Sequence, residues 1–131
     1  MKSRMIPKPK DQHSVARNSR VHRALALKAA GQARRVLPVF EKEHPDDDRP
    51  RQALAAIEAW ARGKLELSMV ETRKLSLAAH AAARAARTDA ARFAARAAGQ
   101  AVAVWHAPGH ALVVPYYVRK VSIANKNPDK K

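Results

Sequence analysis

Cysteine is absent from the 131-residue sequence. That excludes disulfides, a thiolate nucleophile and cysteine-ligated zinc, and it fits a reducing compartment. Aromatic residues are scarce, with two each of Trp, Tyr and Phe, so the aromatic sheet surface that reads single-stranded RNA is not available. The four glycines stand apart, at 31, 63, 99 and 109, which excludes a glycine-rich phosphate loop. No window approaches the roughly 20 apolar residues that span a bilayer. The basic start MKSRMIPKPKDQHSVARNSR also lacks the apolar stretch of a secretory signal. The expectation is a soluble, cytoplasmic protein with no membrane partner.

What the chain does contain is alanine and positive charge. Alanine runs such as LAAHAAARAA combine the best helix propensity with little buried area, which favours closely spaced helices over strands. The length suits one domain with one core. The formal charge is +15, the kind of excess that draws a protein toward phosphates. Its distribution matters more than its size. Residues 1–23 carry seven Lys or Arg against one Asp, and residues 119–131 carry five against one. Two-thirds of the excess therefore lies at the chain ends. The expected organisation is a flexible basic arm over 1–19, a helical domain over 20–124, and a basic tail over 125–131.

Hydrophobic spacing predicts five helices. The first runs from about Val21 to Glu43, with Leu25, Ala29, Val36 and Phe40 on one stripe and Pro38 kinking its last turns. A second, over 49–62, starts behind HPDDDRPR with Asp48 as its cap and stops at Gly63. Ser68 and Glu71 have capping-box spacing for a third, from Met69 to Ala86. Thr88 and Asp89 cap a fourth that ends near Trp105. A fifth spans His110 to Ile123, with Pro115 as a kink. Short connections make the outcome an all-α, compact single-domain bundle of about five antiparallel helices. Ser68 and Thr88 are taken up as caps and no other hydroxyl is poised beside a base, so no catalytic set, and hence no enzyme, is expected.

The segments RVLPVFEKEHPDDDRPRQALAAIEAWARGK (35–64), LAAHAAARAA (77–86) and AARAAGQAVAVWHAPGHAL (94–112), running into YYVRK, carry a resemblance. The sequence resembles a family of bacterial immunity proteins, the Imm five-like family, over about residues 22–122. The resemblance implies an all-α protein of a polymorphic toxin system that binds and neutralises a cognate toxin. It brings no catalytic residue and no cofactor.

The candidate partner-binding residues fall into two groups. Asp46, Asp47, Arg49 and Arg51 form an acidic-basic corner, where helix capping by Asp48 competes with a partner-binding role, and Asp46 and Asp47 have no cap to make. On helix three a turn of about 100° per residue gathers Arg73, His80, Arg84 and Arg87 on one side. With Arg92 and Arg96 of helix four they could meet an acidic toxin patch or phosphates. His80, His106 and His110 are candidates for a polar pocket. His106 and His110 have HxxxH spacing but Pro108 and Gly109 between them, so no metal site is assigned. Trp60 and Trp105 read as packing residues. Two partners stay open: a toxin protein, or nucleic acid bound without sequence preference through the basic ends and the Arg stripe.

Overall fold

The computed structural model describes residues 15–126. Five α-helices pack as a bundle: α1 (Arg20–Glu43), α2 (Arg49–Ala61), α3 (Met69–Ala85), α4 (Asp89–Ala103) and α5 (Val114–Lys126), with a 3₁₀ segment, Pro108–Leu112, before the last. The part of the basic arm before residue 15 and the tail beyond 126 lie outside the described residues. No helix among the described residues is long and apolar enough to cross a membrane.

Side-chain caps set most of the boundaries. Ser19 accepts from the His22 N–H at the start of α1. Ser68 and Glu71 form the reciprocal capping box at the start of α3, and Thr88 accepts from the Ala91 N–H at the start of α4. Gly63, at φ 77°, ends α2 in a Schellman arrangement: its N–H reaches the Trp60 carbonyl and the Lys64 N–H reaches that of Ala59. Pro38 sits inside α1, which continues to Glu43.

Two expectations are corrected. The fifth helix begins at Val114, not His110, because Pro108–Leu112 winds as a 3₁₀ segment. Pro115 then falls in the first turn of α5, where no intrahelical donor is needed, and it makes no kink there. The helix-two cap also differs. Asp48 has φ −96° and ψ 9° and makes no side-chain cap. Its carboxylate accepts instead from the Gln52 amide at 2.8 Å. Asp47 does that work, with Oδ1 accepting from the Arg49 N–H at 3.1 Å. Asp47→Ala is therefore expected to cost about 1–2 kcal/mol in urea unfolding, as for a hydrogen bond to a charged group, and Asp48→Ala less than about 0.5 kcal/mol.

The centre of the bundle is α4. Ala90, Ala91, Ala94, Ala95, Ala97, Ala98 and Ala101 are buried on one broad face of it, and it packs against α1, α2, α3 and α5. Methyl side chains over that face let its neighbours approach the axis closely. The larger core groups come from elsewhere, chiefly Leu37, Phe40, Leu54, Ile57 and Trp60. By contrast α3 packs only against α2 and α4 among the described elements, so its outer face is open.

Candidate functional site

The acidic-basic corner is occupied with itself. Arg49 grips Asp47 with Nε–Oδ1 at 2.9 Å and Nη2–Oδ2 at 2.7 Å. Arg51 grips Glu41 of α1 in the same two-pronged way, at 2.6 and 2.7 Å. Hydrogen bonding from these guanidinium groups holds the Asp47 and Glu41 carboxyls below their ordinary range. The corner ties α2 to α1, and Asp46 remains exposed beside it.

The predicted Arg stripe is likewise split. Arg92 pairs with Asp89, and Arg87 folds back to donate to the Glu43 carbonyl at 2.8 Å. Arg73 and Arg84 stay exposed on α3. His80 does not face solvent with them: it is half-buried against α4, where Arg96 donates to its Nδ1 at 2.8 Å. Its ring lies on Gly99, so close that a β-carbon there would stand 2.6 Å from Nε2. Glycine is needed at 99 for this approach and not for turning.

The three candidate histidines come together. Both α3 and the 3₁₀ segment pack on α4 but not on each other, and the gap between them is a cavity of about 190 Å³. Thr72, Ser76, His80, Gln100, His106 and His110 line it, together with the exposed side chains of Met69, Arg73 and Leu77. Ser76 is satisfied by the Gly99 carbonyl at 3.0 Å, and His110 Nδ1 by Gln100 Oε1 at 2.7 Å. Thr72 is buried, and among the described residues its hydroxyl has no hydrogen-bond partner. No group of three or more His, Asp or Glu among the described residues is arranged to hold a metal ion.

Burial, then the charges of Arg96, Arg84 and His110, push His80 down to about 4. Burial also lowers His110, aided by His106. The folded state thus keeps these rings neutral while the unfolded chain protonates them below its ordinary value of 6.5. Stability must fall as pH drops from 6.5 toward about 4. The carboxylates Asp47 and Glu41 lose their contribution in a lower window, as pH falls below their ordinary 3.8 and 4.5. Thermal melts across this range are expected to show Tm falling on the acid side of 6.5, and His80→Gln is expected to flatten that slope.

The basic stripe of α3 was a candidate in the sequence, but the apolar groups beside it on the outer face were not. Val70 is 76% and Leu77 60% exposed, with Met69 beside them at 39%. Arg73 and Lys74 flank a second groove of about 400 Å³ between these apolar groups. A further residue missed is His22, fully buried under Trp60. The Asn18 N–H donates to its Nδ1 at 3.0 Å, and its Nε2 pairs with the Val104 carbonyl at 2.8 Å. Its position on the stripe His22, Ala26, Ala29, Ala33 was the available signal.

Among the described residues, the bundle thus presents an apolar-and-basic face on α3. A family model described as "Imm-5 like putative immunity protein" matches residues 16–131. The chain belongs to this immunity-protein family. Comparison with curated proteins finds no match, and neither does comparison with solved structures.

Proposed function

We propose that the protein is an immunity protein that binds a cognate toxin and neutralises it by covering part of its surface, with the outer face of α3 as the docking surface. One observation carries the placement: Met69, Val70 and Leu77 are exposed side by side on a helix that packs against only two others among the described residues. Exposed apolar groups framed by cations mark interaction surfaces on small domains. The acidic-basic corner, by contrast, has its Arg49 and Arg51 charges paired within the chain, so it serves as scaffold. Co-expression with the toxin encoded beside it is expected to restore growth and yield a stable complex. Absence of both removes this reading.

The charge of +15 supports a second reading, nucleic-acid binding through the chain ends and Arg73, Lys74 and Arg84. Such binding must weaken steeply with salt, since each neutralised phosphate releases counterions. A protein complex centred on apolar groups must not.

A further inference from the structure

Of the surfaces and cavities in the bundle, the gap between α3 and the 3₁₀ segment has the most unspent chemistry. Among the described residues the buried Thr72 hydroxyl in its wall has no partner, a cost that folding accepts only rarely. Among the described residues no Asp or Glu lines the cavity, while Arg73 does. Arg96 donates to His80 Nδ1, which leaves the ring proton of the neutral imidazole on Nε2 as a donor. His110 offers its Nδ1 proton to Gln100, so its Nε2 is the atom that can take up a further proton beside an anion. The polar side of the cavity is thus rich in donors and lacks a negative charge. The other side is apolar, formed by Met69, Leu77 and Ala103.

We propose that this cavity receives one Asp or Glu side chain of the partner protein, its carboxylate bonded by Thr72, His80 and Arg73 and its methylene stem packed on Met69 and Leu77. The inference rests on the reading of α3 as the docking face, whose groove shares Met69, Arg73 and Leu77 with the cavity. At about 190 Å³ the cavity has the volume of roughly six waters at about 30 Å³ each, which suits a carboxylate on a short stem entering end-on. A backbone phosphodiester, flanked by a sugar on both sides, has no apolar stem to pack on Met69, Leu77 and Ala103. Protein is therefore favoured over nucleic acid as the source of the anion.

The full chain, labelled with ¹⁵N in its imidazoles, should be titrated with N-acetylglutamate N-methylamide and, in parallel, with the isosteric glutamine compound. Saturable shifts of the His80 and His110 ring nitrogens with the acid alone are expected, weakened at least fivefold in Thr72→Val. Gly99→Ala, which drives a β-carbon against His80, is expected to weaken them too. No saturable shift, equal shifts with the amide, or indifference to both substitutions overturns the proposal. So does competitive displacement of the acid by a short oligonucleotide, which would assign the anion to nucleic acid. The underlying docking reading is separable. If Val70→Asp with Leu77→Asp abolishes the toxin complex while the acid gives no shift in wild type, the face stands and the cavity proposal falls. If that double variant still binds toxin, the face falls and the partner's side chain with it.

Discussion

Replacing Trp60 by alanine is expected to cost about 3–5 kcal/mol, the range for deleting a large buried aromatic. Trp60 is 1% exposed and sits where α1 and α2 meet. His22 meets its ring edge-on at 4.8 Å, and the Arg23 guanidinium lies 4.5 Å above it. Arg23 also donates to the Trp60 carbonyl. The alanine variant leaves a cavity under methyl groups that cannot collapse inward, and it removes both the cation's aromatic partner and the wall that shields His22. Small domains hold only about 5–15 kcal/mol in total, so the variant should unfold in low urea when followed by far-UV circular dichroism. Trp60→Phe should lose far less. An alanine variant within about 1 kcal/mol of wild type would mean that the α1–α2 contact is not a principal part of the core.

Paired substitution of Val70 and Leu77 by aspartate is expected to weaken the toxin complex by about 100-fold or more, about 2.7 kcal/mol. Both side chains are more than half exposed in the free protein, so the fold should be left within about 0.5 kcal/mol of wild type. That separation makes the test clean, because lost binding cannot be attributed to lost structure. The partner's affinity should also drop for Arg73→Glu, though salt should mask part of that loss. Asp46→Asn, at the far corner, should leave binding unchanged.

Much of the fold was legible because its boundaries are set by local chemistry. Ser68 with Glu71, Thr88, and Gly63 each satisfy orphan backbone groups within a few residues of themselves, and such signals survive in sequence. The choice between Asp47 and Asp48 was not legible, since it depends on backbone angles that neighbouring aspartates do not reveal. Nor was the start of α5, where a proline is equally at home in a first turn or a kink. The placement of α3 shows a deeper limit. Hydrophobicity alone would turn Val70 and Leu77 inward, yet the buried groups of α3 are Thr72, Ala79, Ala82 and Ala83. Close packing on the alanine face of α4 demands small residues there, a requirement set by a partner helix and invisible in α3 itself. His80 follows the same logic: it reads as part of a charged stripe, and only the missing β-carbon of Gly99 makes room for it inside.

Titration calorimetry of the purified chain with its neighbouring toxin, set beside a DNA duplex and raised from about 50 to about 200 mM salt, separates a protein partner from a nucleic acid. A tight toxin complex that changes little with salt and is lost on Val70→Asp with Leu77→Asp is expected. Tight duplex binding that collapses with salt, together with no toxin complex, would contradict it.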